Sequence, residues 1–352
     1  MKKITVIILF FTMIALFLES VEIKNENSDN QQKKELPLIQ ILEISDEIDS
    51  FEHFFIHEDK IFVCSVASKM VHIMDLGGKV IKTISETGQG PGEFSMPTNL
   101  INDPENNRFG VVDQMNRRTS YFDYNGNYIE DIIFEGLDIT LDRIKIETGY
   151  LNMIMRIDLN QEEGKILVKP TLELVLEDSI KILYQSAFSP LELNISSFGF
   201  PVYTVAEDAI YISVLNPREY RISKYDLEGK YFFDIIKSYK KVKKSEEEIE
   251  ETKAKFDEIK KQMQGYGADI EFKDYEYEFA VNTLLIAPDN TLWVLTQNEV
   301  EVFFDQIDDN GKITNRVYSS EDDFKNCYFY KGKLYDFTGN EDDGFEIRIY
   351  DL

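Results

Sequence analysis

Imidazole is scarce in this chain of 352 residues: His53, His57 and His72 are its only histidines, all in one short stretch. Nucleophile–His–acid catalysis needs such a ring beside a serine or cysteine, with a third group to orient it. His53 and His57 stand four residues apart in FEHFFIHEDK, a strand-like run where equal parity puts both on one face. A metal bound there would need further ligands from distant segments, and none is identifiable in the sequence. The expectation is therefore no catalytic residue and no metal ligand, with the histidines serving in the core or on the surface.

Carboxylates are abundant, 65 Asp plus Glu against 38 Lys plus Arg. Hard cations take oxygen ligands, so calcium is the one cofactor left open. Gln306 to Gly311 (QIDDNG) has the outline of a calcium loop, but Gln fills the first ligand position and Val317 the last; a hairpin turn is expected. Asp342-Asp343-Gly344 reads as a loop in the same way. The glycines of GQGPGEF open no helix and follow no βα pattern, so they do not read as a phosphate cradle. Cys64 and Cys327 could pair only if distant segments met; Cys64, in the apolar run IFVCSV, reads as a buried free thiol.

The formal charge of −27 argues against nucleic acid, whose phosphates need clustered cations, and against an anionic membrane surface. An acidic surface keeps a β-rich protein soluble. At the N-terminus, Lys2 and Lys3 precede an uncharged run from Ile4 to Leu18, the form of an export signal and short for a membrane span. Residues 1–20 are thus expected to be a signal peptide or a retained anchor, and 21–35 a polar linker. No cysteine follows the apolar run, which disfavours a lipoprotein. The expected location is exported: periplasmic, extracellular or anchored at the cell surface, with membrane contact only through an uncleaved N-terminal segment.

The elements that must position any site come from a repeat. A β-rich run ending in Asp, a short turn with Gly and another apolar strand recur as MDLGGKVIKTI at Asp75, FDYNGNYIEDIIF at Asp123 and YDLEGKYFFDII at Asp226. A longer version, FFDQIDDNGKIT, starts at Asp305, a worn one, IDLNQEEGKILV, at Asp158, and EIRIYDL ends the chain with Asp351. Gly78, Gly126, Gly229 and Gly311 allow positive φ, and Asn125-Gly126 and Asn310-Gly311 are hairpin signals. Periods of roughly 40 to 50 residues with several strands each are those of propeller blades. Six phrases predict an all-β, six-bladed β-propeller of four-stranded antiparallel blades over 36–352. The last blade lacks a strand after Asp351, and the spare strand is Leu36 to Ile44 (LPLIQILEI); placing it there closes the ring.

The segment from Gly88 to Ile129 resembles an NHL repeat. Gly90, Pro91, Gly92 and Phe94 match its inter-blade phrase, Pro97 the start of its inner strand, and Asp113, Asn116 and Arg118 its Asp-x-x-Asn-x-Arg turn. Asn216 and Arg221 hold the Asp and Arg positions in blade four; Ser65 and Met70 hold them in blade one. Leu36 to Leu352 is thus similar to the bacterial six-bladed propellers of the NHL/TolB-like superfamily. Asp113 and Arg118 are expected to pair across a tight strand connection, and Gly126 and Arg221 to be structural. The resemblance also brings in metal lyases, whose multi-blade histidines are not reproduced here, and calcium-dependent lactonases with carboxylates and Asn amides in the channel.

One helix interrupts the pattern between blades four and five. Ser245 to Gln264 has no Gly or Pro, Ser245 with Glu248 forms a capping box, and Ile249, Thr252, Phe256, Ile259 and Met263 make an apolar stripe. A surface insertion is expected. For binding, Asn99 and Asn282 fall at equivalent places near the start of inner strands, with Phe51, Phe200 and Phe324 there in blades one, four and six. Amides among aromatics suit a sugar or peptide. The expected function is an exported, non-catalytic binding or scaffold propeller for an envelope protein, peptide or glycan; the rival is a calcium-dependent, channel-centred hydrolase or lactonase.

Overall fold

The computed structural model describes residues 22–25, 32–44, 48, 53–65, 67–85, 87–134, 136, 138–160, 165–187, 199–250, 252–254, 257, 276–319, 324, 326–340 and 344–352. Among these, apart from one short helix and one 3-10 turn, the regular elements are strands. Three precede the first blade: β1 (Glu22–Asn25), β2 (Gln32–Glu35) and β3 (Leu38–Glu43). Blade one follows as β4 (His53–His57), β5 (Lys60–Ser65), β6 (Met70–Asp75) and β7 (Val80–Ile84). Blade two is β8 (Pro97–Asp103), β9 (Arg108–Asp113), β10 (Arg118–Asp123) and β11 (Tyr128–Ile133). Blade three has longer members, β12 (Ile139–Ile146), β13 (Gly149–Asn160), β14 (Lys165–Leu176) and β15 (Ile180–Gln185). Blade four is β16 (Pro201–Val205), β17 (Ala209–Val214), β18 (Tyr220–Asp226) and β19 (Tyr231–Lys237). Blade five is β20 (Thr283–Ile286), β21 (Leu292–Gln297), β22 (Val302–Ile307) and β23 (Ile313–Tyr318). Blade six has β24 (Asn326–Tyr330), β25 (Lys333–Asn340) and β26 (Gly344–Asp351), with β3 as its fourth strand. The molecule is a six-bladed β-propeller.

The recurring phrase is a turn device. Asp75 Oδ1 accepts from the backbone N–H of Gly77 (2.9 Å) and Lys79 (3.0 Å). Asp123, Asp226 and Asp308 do the same for the residues two and four positions on. The turn aspartate of blade five is therefore Asp308, and Asp305 lies buried inside β22. Each turn places its glycine at positive φ: 81° at Gly78, 74° at Gly126, 79° at Gly229 and 77° at Gly311. A register shift follows in the paired strand, as for a glycine-bulged hairpin. Blade three departs from the expectation: Asp158 lies within β13, so its worn phrase joins the second and third strands. Its outer hairpin closes over 177–179, where Leu176 N donates to Ser179 O (2.8 Å), with no glycine.

These turns also seat one blade on the next. A Cβ at Gly126 would stand 3.0 Å from Ile73 of blade one, and one at Gly311 2.8 Å from the Phe233 ring of blade four. Lysines of the earlier blade donate to turn carbonyls of the later one, Lys82 to Gly126 O (2.8 Å) and Lys224 to Asp309 O (3.1 Å). Blades four and five share a buried ion pair, Lys237 Nζ to Asp305 Oδ2 at 2.6 Å, with Lys237 also over the rings of Tyr220 and Phe303.

The ring closes as the spare strand requires. β26 pairs antiparallel with β3, Ile347 opposite Leu42 and Arg348 opposite Ile41, and Leu36, Leu42 and Ile44 are buried. The stretch expected to be a plain linker does more than connect. β1 adds to blade four as a fifth strand parallel to β19, and β2 to blade five parallel to β23. β1, β2 and β3 thus form a strap, lying in turn on the outer edges of three consecutive blades. The helix is seen over 246–250 and 252–254. Its capping box is formed: Glu248 N donates to Ser245 Oγ (3.2 Å), and Ser245 N donates to Glu248 Oε2 (2.9 Å).

No helix of the described residues is long and apolar enough to cross a membrane. The expected signal segment 1–20 lies outside the described residues, as do Phe51, Asp342-Asp343 and the helix residues Phe256, Ile259 and Met263. Cys64 and Cys327 are both buried and are not joined in a disulfide.

Candidate functional site

The first strand of each blade is innermost, and residues of all six first strands line one cavity of about 580 Å³ on the ring axis. Every blade gives it a polar side chain: His53, Asn102, Asp142, Tyr203, Thr283 and Asn326 in turn. Phe54 and Tyr328 supply aromatic walls, their rings edge-on at 6.1 Å.

Hydrogen bonds hold these groups in place. The Tyr203 hydroxyl donates to Asp142 Oδ2 (2.7 Å), and Asp142 Oδ1 accepts from Arg143 N (2.7 Å). Burial and the neighbouring Asp142 carboxylate hold the Tyr203 phenol well above its ordinary value of 10.0, so it stays a donor. His53 Nδ1 accepts from Leu100 N (3.4 Å), which assigns the ring proton to Nε2. Burial lowers the His53 pKa from 6.5, with Asp142 pulling the other way, so the imidazole is neutral at pH 7. Asn102 Oδ1 accepts from the Tyr124 hydroxyl (2.7 Å), which turns the amide NH2 outward as its donor side. Asn326 Nδ2 donates to Phe337 O (3.3 Å), so its carbonyl oxygen is the acceptor side. Arg143 Nε is fixed on Asn152 Oδ1 (3.0 Å). The channel is therefore a ring of oriented donors and acceptors with stacking surfaces between them. Cys327 also lines it, its thiol donating to Asp336 Oδ1 (3.4 Å). Among the described residues, no group of three or more His, Cys, Asp or Glu side chains is arranged to hold a metal ion.

Of the binding residues expected from sequence, two meet, away from the channel, and Asn99 and Phe200 lie apart from them. Asn282 and Phe324 line a second cavity, of about 470 Å³, beside Ser245 and Glu248 of the helix's first turn. There Phe324 is buried against the rings of Phe304 and Tyr350, a core role. Phe200, just before β16, packs in the core between blades three and four, and Asn99 lines neither cavity. In β8 the channel-facing residues are Leu100 and Asn102, of opposite parity to Asn99. His53 is neither simple core nor surface, because it faces the channel. His57 stacks on Tyr124 at 3.9 Å, and His72 is buried with Nδ1 3.1 Å from Thr83 Oγ1.

Asp113 and Arg118 work as a unit but not as the expected ion pair. Asp113 accepts from Ser95 N (2.8 Å), Met96 N (3.0 Å) and Asn116 Nδ2 (2.8 Å). Arg118 pairs with Asp131 at 2.9 Å and donates to the carbonyls of Gln89, Gly90 and Glu93. Asn116 Nδ2 also reaches Gly88 O (2.7 Å). Together they clamp the 88–96 connection between blades one and two. Arg221, the counterpart in blade four, pairs with Asp234 and Glu219 and reaches Glu22 of the strap at 3.3 Å.

A family model described as a 6-bladed beta-propeller matches residues 42–271. Among solved structures, the chain is similar to a Bacteroides fragilis protein inferred to be exported, with a TM-score of 0.50 and 11% identity over 94% of this chain and 98% of that one. It is also similar to U3-55K, with a TM-score of 0.54 and 8% identity over 89% and 98%. A DUF4221 family member from Bacteroides vulgatus gives 0.51 and 11% over 90% and 97%. At such identities the likeness is one of fold. No curated protein matches.

Proposed function

The chain belongs to the DUF5128 family of six-bladed β-propellers, and from that premise we propose that it is an exported binding propeller whose central channel holds a peptide or glycan of the cell envelope. The observation that carries this is the channel lining itself, with at least one polar side chain from each of six blades and aromatic walls between them. Hydroxyls and amides of a sugar or peptide are what such a lining satisfies. Export draws its support from Lys2, Lys3 and the apolar run Ile4 to Leu18, and accords with the description of the Bacteroides fragilis neighbour. We read blade two as an NHL-type repeat, on the support of the clamp that Asp113, Asn116 and Arg118 form around its Gly-Pro-Gly connection.

The rival reading, a calcium-dependent hydrolase or lactonase, draws on the Asp142 carboxylate facing the channel with the amide oxygen of Asn326. Titration calorimetry against peptidoglycan fragments, glycans and peptides separates the two. A ligand of the channel should bind about tenfold more weakly to Tyr203→Phe, which removes a hydroxyl, and to Asp142→Asn, which removes the charge and turns one acceptor oxygen into a donor. Binding untouched by both variants refutes the channel as the site. One tightly held calcium per chain, with lactone or ester turnover lost in Asp142→Asn, establishes the enzyme instead.

A further inference from the structure

The outer edges of the blades are not equally covered. The Asp-x-x-Gly turns of blades one, two, four and five each lie on the blade before; at blade one, a Cβ on Gly78 would be 3.6 Å from Leu42 of blade six. Two covers are missing from this series. Blade six has no such hairpin, because its fourth strand is β3, so none lies on blade five. The outer hairpin of blade three has no such turn, so none lies on blade two.

On blade five the gap is filled by the strap. β2 runs along β23, with Lys33 opposite Arg316 and Lys34 opposite Val317, and Leu36 packs into the cluster that holds Val317. On blade two, no strand of the described residues adds to β11. Counting back from the turn aspartates makes the contrast quantitative. Ile132 of β11, opposite Thr119, is the counterpart of Ile235 in β19, opposite Ile222, and of Val317 in β23, opposite Phe304. Ile235 and Val317 are 0% exposed, whereas Ile132 is 44% exposed. Tyr128, Ile129 and Ile133 of the same strand are exposed as well. An open edge with this much apolar surface is a site for strand addition.

We propose that β11 docks an extended segment of a partner protein, which adds as a fifth strand parallel to it. The molecule shows what such an edge accepts: four-residue parallel strands at the two counterpart edges, β2 set one residue earlier on its edge than β1. Its chemistry follows from the same places. Ile23 of β1 stands opposite Ile235, and Lys33 of β2 meets Glu301 of blade five at 2.7 Å. The edge of blade two carries Glu130, which pairs with Arg108 yet stays exposed, on a chain of net charge −27. The partner segment therefore alternates β-branched residues with lysine.

Fluorescence anisotropy of a labelled nine-residue peptide alternating lysine with valine or isoleucine tests this on the intact propeller. Saturable binding is expected, weakened at least tenfold by Ile132→Asp and by a proline at the centre of the peptide, which removes a ladder donor. Amide exchange of residues 130–133 should slow when the peptide is bound. Ile133→Asp, at a position 62% exposed, serves as a second variant whose folding is insensitive to the change. Tyr203→Phe in the channel should leave peptide binding unchanged, so this site and the channel stand or fall separately. No saturable binding, or binding indifferent to the aspartate variants and to the proline, overturns the proposal; the latter outcome would mean attraction to the acidic surface alone.

Discussion

Replacing Lys237 by Met tests how blades four and five are locked. Lys237 Nζ lies 2.6 Å from Asp305 Oδ2, and the two side chains are 6% and 0% exposed. Unit charges this close attract by about 6 kcal/mol at an effective dielectric constant of about 20. Drawing each ion out of water costs several kcal/mol, so the pair as a whole contributes little net stability. Removing one partner is different, because the desolvation of Asp305 stays while the attraction goes. Lys237→Met should therefore lose about 3–5 kcal/mol, a large part of the roughly 5–15 kcal/mol that holds a native protein together. The double variant Lys237→Met/Asp305→Leu should recover to within about 2 kcal/mol of the parent. Its remaining deficit falls on the Tyr220 hydroxyl, which burial and the Asp305 carboxylate otherwise hold well above its ordinary pKa. Urea unfolding followed by circular dichroism reads the losses, and Trp293, the single tryptophan, reports on blade five itself. The reasoning fails if Lys237→Met costs under about 1 kcal/mol, or if the double variant loses the sum of the two singles.

Two other outcomes follow from the same structure. Truncation of residues 36–44 should strip β3 from β26 and the buried Leu36, Leu42 and Ile44 from their clusters, giving aggregation or loss of cooperative unfolding; a truncated protein with the parental melting temperature would disprove ring closure as a source of stability. His53 is held below its ordinary pKa of 6.5 by burial, so between its folded value and 6.5 the unfolded chain binds more protons and stability falls as pH falls. Melting temperatures from pH 7.5 down to pH 5 should thus decline less steeply in His53→Gln than in the parent. His57, lowered in the same way, keeps part of the slope, and identical slopes in parent and variant would refute the argument.

The blades were legible because their turns are local chemistry. Asp75, Asp123 and Asp226 each satisfy backbone N–H groups two and four residues on, which four or five letters of sequence can encode. Closure was legible by subtraction, since Asp351 ends a strand that lacks a partner and Leu36 to Ile44 is apolar and unclaimed. The channel was not. Asn99 carries the right amide on the wrong parity, because a bulge between Pro97 and Asn99 shifts which residues of β8 face the axis. Asp142 and Tyr203 sit in blades where no phrase marks the inner strand, and they meet across 61 residues of chain. The parallel strap strands were missed for a related reason. Polar sequences such as QKKE have no apolar alternation to announce them, and their pairing rests on an edge supplied by β23.

The strap also sets an order of events for the nascent chain. Glu22 to Asn25 is made before its partners Asp234 to Lys237, which come more than two hundred residues later, and those of β3, Glu346 to Tyr350, come later still. Loops of that span are slow to close and reward the chain only once both ends are present. β1 must wait, extended and polar, until blade four has formed, and β2 until blade five has. Completion of β26 is then the event that fixes β3, and a ribosome that stops short of Gly344 releases a chain whose β3 has no partner to meet.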